Sequence, residues 1–420
     1  MRHVAVVDLG YGDAGKGTVV DWLCATRDVH TVVRFNGGAQ AAHNVVLRDG
    51  RHHTFAQFGA GTFRPGVRTH LSRHVVVDPL ALAAEADHLA TVGVTDALDR
   101  LTVDSDALLA TPYHRAANRA REIARGADRH GSCGLGVGEA VAYGLAHPDD
   151  APRVGDCHRP ALLRRRLTVL RDRLTAELGP LDAPPVEDCL PAFTGFAGRV
   201  AIVDGSWLAE ALRAGTCVFE GAQGVLLDEW HGFHPYTTWS TTTFANVDGL
   251  LAEAGRSGDV TRVGVLRVVT TRHGAGPLVT EDPGLPFTDA HNATNPWQGR
   301  FRFGHFDAVA HRYALAAAGG VDGLALTHLD RAYPGLRMCR RYDTTDRLTP
   351  GPPGDLDRQA ALTASLLRSR PLYDDPPPNW AEAISTELGT PVVLTSHGPT
   401  ADDKLTHGPL LTPPTLVHAA

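Results

Sequence analysis

The segment Gly10-Tyr11-Gly12-Asp13-Ala14-Gly15-Lys16-Gly17 constrains this chain more than any other. It satisfies the pattern G-x-x-x-x-G-K, follows a short apolar run at Val4–Leu9, and opens a helical pattern at Lys16–Thr26. A strand that turns through glycines into a helix brings backbone N–H groups and the positive end of the helix dipole to one spot, which makes a cradle for phosphate. The hydroxyl residue that normally follows the lysine and holds magnesium is replaced by Gly17, and an acid, Asp13, sits inside the loop. A carboxylate facing phosphates is repulsive unless a metal or a proton lies between them, so Asp13 reads as a magnesium ligand, a general base, or both. The alternative is a plain strand–helix turn in which Asp13 caps the helix.

Further apolar runs at Thr31–Phe35, His74–Val77, Val200–Asp204, Cys217–Glu220, Val263–Thr270, Gly323–Thr327 and Val392–Thr395 have the character of Val4–Leu9. Rich in valine and bounded by Gly, Asp or Pro, they read as parallel strands covered on both faces. Helical patterns lie between them at Pro79–Leu89, His114–Arg125, Pro160–Leu178 and Phe306–Ala318, the last closed by Gly319-Gly320. This alternation predicts an α/β fold with a mostly parallel central sheet flanked by helices. Pro180–Pro191 and Thr349–Pro378 are rich in Pro and Asp and read as surface loops. The chain shows no internal repeat, and the expected organisation is a single domain over residues 1–420 with loop insertions near 180–191 and 349–378.

A net charge of -7 argues against a large non-specific nucleic-acid surface. The six cysteines are scattered without any CxxC spacing, which points to reduced thiols in a cytoplasmic protein rather than a zinc site or a disulfide frame. The start Met1-Arg2-His3-Val4 runs straight into a strand pattern without signal-peptide architecture. No apolar run approaches the ~20 residues that span a bilayer. A soluble, cytoplasmic protein without nucleic-acid or membrane partners is expected.

The phosphate loop does not stand alone. Val33-Arg34-Phe35-Asn36-Gly37-Gly38-Ala39-Gln40-Ala41-Ala42-His43-Asn44 follows it, then Arg153-Val154-Gly155-Asp156, then Phe219-Glu220-Gly221-Ala222-Gln223-Gly224 with Leu226-Leu227-Asp228 and His231-Gly232. Thr271-Arg272-His273-Gly274-Ala275-Gly276-Pro277, Gly304-His305-Phe306-Asp307, Thr327-His328-Leu329-Asp330 and Ser396-His397-Gly398-Pro399 complete the series. These blocks, in this order and spanning essentially the whole chain, resemble the signature segments of the adenylosuccinate synthetase family.

The resemblance implies that family's P-loop-like fold, a homodimer, and a two-step reaction using Mg2+ and GTP, with ATP as the alternative triphosphate. GTP phosphorylates the 6-oxygen of IMP, and the amino group of aspartate then displaces phosphate. Such chemistry needs a base at the purine N1, a charge stabiliser at the transferring phosphoryl group, and magnesium. Carried over position by position, Asp13 matches the base and metal ligand, with Ala42 standing where a backbone carbonyl helps hold the metal. His43 matches the histidine at the phosphates, Lys16 faces them, and Gln223 matches the residue that orients the purine edge. Gly12, Gly15, Gly17, Arg302, His328, Asp330, Ser396, Gly398 and Pro399 fall at nucleotide-binding positions, where Asp330 would accept from guanine N–H groups. Gln40, Ser132, Thr238, Arg300 and Arg302 fall at acceptor or amine positions.

The departures cluster on the acceptor and amine sites. The stretch Val141-Ala142-Tyr143-Gly144-Leu145-Ala146-His147-Pro148 has no arginine where the family reaches a neighbouring subunit's IMP phosphate. Gly131-Ser132-Cys133-Gly134-Leu135-Gly136 lacks two threonines and another arginine, and Gln40 replaces a phosphate-binding asparagine, although Thr238 is retained. Each lost charge-assisted contact is worth ~1.5–3 kcal/mol. In the aspartate loop, Pro296-Trp297-Gln298-Gly299-Arg300-Phe301-Arg302-Phe303, Trp297 and Gln298 replace threonines and Phe303 replaces an arginine. Arg300 and Arg302 keep a spacing suited to clamping a carboxylate. His328 replaces a lysine, Ala14 a glutamate and Ala42 a glycine; a backbone ligand survives the last change where φ is negative.

Three readings follow. The first is a triphosphate-driven ligase that joins aspartate or a related amine to an oxo-acceptor, IMP or an analogue, as a specialised paralogue. The second is an authentic adenylosuccinate synthetase of purine biosynthesis whose phosphate contacts come from other residues, with Arg115, Arg119 and Arg153 as candidates. The third is a catalytically silent nucleotide-binding regulatory relative.

Overall fold

The structure is a computed structural model that describes residues 3–126, 129, 131–288 and 297–411. Pro296, the first residue of the expected aspartate loop, lies outside the described residues. Ten strands form the central sheet: β1 (His3–Asp8), β2 (Val29–Arg34), β3 (Arg68–Leu71), β4 (Leu101–Asp104), β5 (Ala201–Val203), β6 (Thr216–Glu220), β7 (Val260–Arg267), β8 (Gly323–Thr327), β9 (Val392–Ser396) and β10 (Lys404–Thr406). Their spatial order is β10-β9-β8-β7-β1-β6-β2-β3-β4-β5. Every neighbouring pair is parallel except β9 with the edge strand β10. The mostly parallel α/β sheet expected from the alternation is therefore the observed one.

Strand β1 sits near the middle and shows why the sheet forms. All six of its residues are buried. Successive side chains on a strand point to opposite faces, so Val4 and Val6 pack with Val19, Val20 and Leu23 of helix α1 (Lys16–Thr26). Ala5 and Val7 face the other way, into a second core with Phe219, Val309 and Tyr313. A strand covered twice reads in sequence as a continuous apolar run.

Local chemistry moved several boundaries. The helix expected from His114 begins at Pro112, because Thr111 caps it by accepting from His114 N–H and proline suits a first turn whose N–H is unused. The helix expected from Phe306 begins at Ala308; Phe306 and Asp307 pair instead with Met338 and Cys339, and Asp307 caps the helix through Ala310 N–H. Of the run His74–Val77, only Val76–Val77 is a strand, and it pairs with Leu108–Leu109 outside the central sheet.

Two loop expectations need correction. Pro180–Pro191 runs into a helix, Val186–Ala197, which contains Pro191 and buries Cys189, Leu190 and Phe193. Proline there removes one backbone donor, and the buried apolar face outweighs the loss. Thr349–Pro378 contains the helix Leu356–Leu366, capped by Asp355, and the strand Pro371–Asp374 paired with Met338–Tyr342. Turn-forming composition there marked the ends of short elements rather than one long loop.

Chain order reverses across β1: the sheet grows through β6 and β2 on one side and through β7 and β8 on the other. A crevice opens beyond the carboxyl ends of strands at such a switch point, and the phosphate loop lies there.

The core also buries histidines in neutral form. Burial lowers the pKa of His70 to about 3, where it stacks on Trp207 at 4.6 Å, and that of His114 to about 3. Their folded pKa values lie below the ordinary 6.5, so below that pH the unfolded chain takes up protons that the folded chain refuses. Stability is expected to be fully present above pH 6.5 and to fall as pH drops towards about 3. Denaturant midpoints measured from pH 7.5 to 4.5 should show this, with His70→Gln giving a shallower slope; an unaltered slope would show that His70 titrates normally.

Candidate active site

One cleft of about 1010 Å³ collects residues at or just beyond the carboxyl ends of five central strands. Asp13 follows β1, Gln223 follows β6, Arg267 ends β7, His328 and Asp330 follow β8, and Ser396 ends β9.

The phosphate loop is shaped by a residue that the motif alone did not mark. Asp8, fully buried at the end of β1, accepts from Gly10 N–H at 2.7 Å, Ala14 N–H at 2.9 Å and Lys16 Nζ at 3.1 Å. One carboxylate thus closes both ends of the loop and positions the lysine. Gly15 stands at the N-cap of α1 with φ 96°, and no side chain caps that helix, so its positive end faces the cleft uncovered. The glycine at position 17 has a steric cause: a Cβ there would lie 2.8 Å from His43 Cβ and 3.2 Å from Asn44 O. Gly12, Gly15, Lys16 and Gly17 all line the cleft.

Asp13 has φ 60°, a left-handed conformation that costs a non-glycine residue energy and is more tolerable for Asp than for most. Its peptide oxygen is held by Arg267 Nη1 at 3.1 Å. Burial pushes its carboxyl above the usual range, with Lys16 opposing and Asp8 assisting. No donor among the described residues hydrogen-bonds that carboxylate, and Asp13 caps nothing, which removes the helix-cap alternative. A half-buried carboxylate without donors, on the cleft wall, suits a proton acceptor or a cation ligand.

His43 opens the strand His43–Val46 and is almost fully buried. Its Nδ1 lies 2.6 Å from Glu220 Oε1, and Glu220 Oε2 accepts from Ala60 N–H at 2.9 Å. Burial lowers the His43 pKa to about 4 against the opposing pull of Glu220. Burial works against the charge on Glu220 as well, but His43, Arg34 and the Ala60 N–H together hold it below the usual range. The stable pair is therefore a neutral imidazole donating from Nδ1 to a carboxylate, with Nε2 left for the cleft. Glu220 stands in the block Phe219–Gly224, but its partnership with His43, 177 residues away, has no local sequence signal.

Gln223 is a second left-handed residue, at φ 64°. Its Nε2 donates to Thr238 Oγ1 at 2.6 Å, and its buried Oε1 has no partner among the described residues. Gln40, Ser132 and Ala42 line the same cleft; Ser132 Oγ accepts from Asn118 at 2.9 Å. The φ of Ala42 is not positive, so its carbonyl is compatible with alanine in place of glycine.

At the other end of the cleft, His328 has φ 59°, and its Nδ1 meets Thr327 Oγ1 at 2.8 Å, which in turn donates to Ala14 O. Burial holds His328 well below its ordinary pKa, so it is a neutral flat ring. Asp330 stands exposed beside it. Ser396 Oγ donates to Gly398 O, and Pro399 O accepts from Thr18. Lys404, not anticipated, ties this wall together by donating to Thr18, Gly398 O and Thr400 O.

Arg300 and Arg302 are placed differently from these. Both clamp one carboxylate, Glu281, at 2.9 and 2.7 Å, and neither lines the cleft. Arg302 also donates to Gly274 O and Gly276 O, binding its strand to the Thr271–Pro277 segment. Arg272, which that segment supplies, is buried over the Tyr11 ring at 4.4 Å and donates to three carbonyls. The alternative phosphate arginines do not reach the cleft: Arg115 pairs with Asp78, Arg119 donates to Gly134 O over Trp297, and Arg153 donates to Asp106 O. The arginines that do line that side are Arg121 and Arg125, one turn further round the same helix.

The chain is similar to known proteins of one family. The family described as adenylosuccinate synthetase matches residues 5–404. The adenylosuccinate synthetase of Magnetococcus marinus is 31% identical over 96% of this chain and 98% of its own length. That of Mycolicibacterium vanbaalenii is 33% identical over 92% and 89%. Among solved structures, the fully ligated adenylosuccinate synthetase of Plasmodium falciparum superposes with a TM-score of 0.81 at 21% identity, covering 97% of this chain and all of that one. The succinoaminodeoxyadenylate synthetase of cyanophage S-2L, bound to dGMP and to dATP as an energy donor, gives 0.62 at 20% identity, covering 97% and 96%. The chain belongs to the adenylosuccinate synthetase family and is a carbon–nitrogen ligase of that type.

Proposed function

We propose that the protein uses GTP, with ATP as the alternative donor, to phosphorylate the oxygen of a ring lactam, IMP or an analogue. The amino group of aspartate or a related amine then displaces phosphate. The observation that carries this reading is Asp13: a half-buried carboxylate that no described donor hydrogen-bonds, in the field of Lys16, lining one cleft with His43 at the mouth of an uncapped helix. A base whose pKa is raised by burial is better matched to a weakly acidic ring N–H than an exposed carboxylate would be. Once Asp13 takes that proton, the lactam oxygen becomes an oxyanion aimed at the terminal phosphorus. Lys16 and the N–H groups of the loop stabilise the charge on the transferring group, and His43 Nε2 faces it with its tautomer fixed by Glu220. The orphaned Gln223 Oε1 accepts from a donor on the ring edge.

Magnesium fits the same residues. No group of three or more His, Cys, Asp or Glu side chains among the described residues is arranged to hold a metal. Magnesium, however, commonly takes one or two carboxylates with the rest of its shell from phosphates and water. Asp13, with the Ala42 carbonyl, would hold it against the triphosphate, where it neutralises developing charge.

The finer reading, a specialised paralogue, is supported by the acceptor side, where no arginine stands in the Val141–Pro148 stretch. The cyanophage protein, with dGMP and dATP, illustrates that one fold serves more than one acceptor and donor. The reading as an authentic synthetase of purine biosynthesis is supported by the relatives at 31% and 33% identity. Family resemblance supports a homodimer acting in the cytoplasm, and no helix among the described residues is long and apolar enough to cross a membrane.

Aspartate-dependent phosphate release with GTP and IMP separates these readings: strong turnover favours the authentic synthetase, and its absence with turnover of an IMP analogue favours the paralogue. Asp13→Asn, which tolerates the left-handed backbone, should cut kcat by at least a thousandfold with an unchanged melting temperature; near-normal turnover would remove Asp13 as base. Glu220→Gln should lower kcat by roughly a hundredfold, the low end of general acid–base contributions, and leave the KM for GTP nearly constant. Asp330→Asn should shrink the preference for GTP over ATP, and unaltered selectivity would show that the base is read elsewhere.

A further inference from the structure

The acceptor end of the cleft can be located from contacts alone. A Cβ on Gly38 would lie 3.0 Å from Gln40 Oε1 and 3.1 Å from Val137, and one on Gly138 would lie 2.8 Å from the Trp239 ring. Trp239 follows Thr238, the partner of Gln223. Gln40, Val137, Gly138, Trp239 and Thr238 are therefore one continuous wall reaching from Gln223 away from the phosphate loop, and all of them line the cleft.

Among the described residues, that wall carries no unengaged cation. Helix Val137–Ala146 turns Val137, Gly138, Glu139 and Ala142 towards the cleft, a face with one acid and no base. The two guanidinium groups nearby are already engaged: Arg121 with Glu139 at 3.2 Å and Glu177 at 2.8 Å, Arg125 with the fully buried Glu122 at 2.5 Å. Glu229 adds a further carboxylate to the lining. Two guanidinium groups thus face four carboxylates, and burial raises the pKa of both Glu139 and Glu229. A dianionic phosphate placed here meets an electronegative wall, whereas phosphate sites are built from paired cations or free N–H groups. In place of charge, the wall offers apolar surface: Trp230 and Trp239 stand 41% and 51% exposed inside the cleft. Gln40 Oε1 is a buried acceptor with no partner among the described residues, and it calls for a hydroxyl donor rather than a second acceptor.

We infer that the acceptor is an unphosphorylated nucleoside-like lactam, whose neutral, hydroxyl-bearing substituent packs between Trp230 and Trp239 and donates to Gln40. This rests on the ligase reading and specifies its substrate class. Glu139 and Ala142 set the preference by withholding positive charge.

The test compares inosine with IMP on the full-length protein, using aspartate- and GTP-dependent phosphate release together with quenching of tryptophan fluorescence beside a non-hydrolysable GTP analogue and Mg2+. The expected result is a kcat/KM and an affinity at least tenfold better for inosine. Ala142→Arg, which places a cation on the wall, should move that ratio at least tenfold towards IMP. Preference for IMP in either measurement overturns the inference while leaving the ligase reading intact, and so does failure of inosine to bind. Triphosphate consumption that ignores aspartate with both acceptors overturns the inference and the ligase reading together.

Discussion

The active cleft depends on how Asp8 is held. Its carboxylate stands at the end of a strand buried on both faces, and it accepts from Gly10 N–H, Ala14 N–H and Lys16 Nζ. A buried ion pair stabilises little by itself, because desolvating both charges offsets their attraction. Its value here is positional: the same carboxylate satisfies two loop donors and fixes the lysine, so the loop can have only one shape. That shape in turn sets the neighbours. A Cβ on Gly224 would fall 2.2 Å from Gly10 O and 2.3 Å from Gly12 N, and Leu226 N–H donates to Gly10 O at 3.0 Å. The loop after β6, which carries Gln223, is thus moulded directly onto the loop after β1.

Strain is concentrated at the same place. Three non-glycine residues among those described have positive φ: Asp13, Gln223 and His328. They come from three different strand ends, and all three line the cleft. Each such residue costs of order 1–3 kcal/mol and persists only where its surroundings over-determine it. The surroundings are visible: Arg267 holds the Asp13 carbonyl, Thr238 holds the Gln223 amide, and Thr327 holds the His328 ring. The rigid sheet supports conformations that point these side chains into the cleft, and the large buried core offsets that cost.

What was legible in the sequence follows from how far each interaction reaches along the chain. Helix α1 spans Lys16–Thr26 as the pattern predicts, because its start is written in the glycines and its length in the apolar spacing. Residues Asp13, Lys16, His43 and Gln223 were found because each sits in a short block with a backbone requirement of its own. Glu220 lies 177 residues from His43 and has no role legible in sequence, because only the fold brings β6 beside the strand that His43 opens. The same limit applies to the arginines: Arg115 and Arg119 stand four residues apart on one helix, but they meet Asp78 and the Gly134 carbonyl rather than the cleft. Helical periodicity identifies which residues share a face, and tertiary packing decides what the face meets.

The two halves of the cleft obey different physics, and this divides what can vary from what cannot. At the phosphate loop, charge, backbone strain and close glycine contacts interlock, so a change at one position disturbs several others. Gly17, tied by the approach of His43, is an example. The opposite wall is made of single side chains on the helix Val137–Ala146 and the segment around Trp239, joined to the loop mainly through Gln40, Gln223 and Thr238. Replacing an arginine by an alanine or a threonine by a cysteine there leaves the strained loop untouched. The chemistry of oxygen activation is therefore bound to the fold, whereas acceptor choice is carried by residues that the fold leaves free to change.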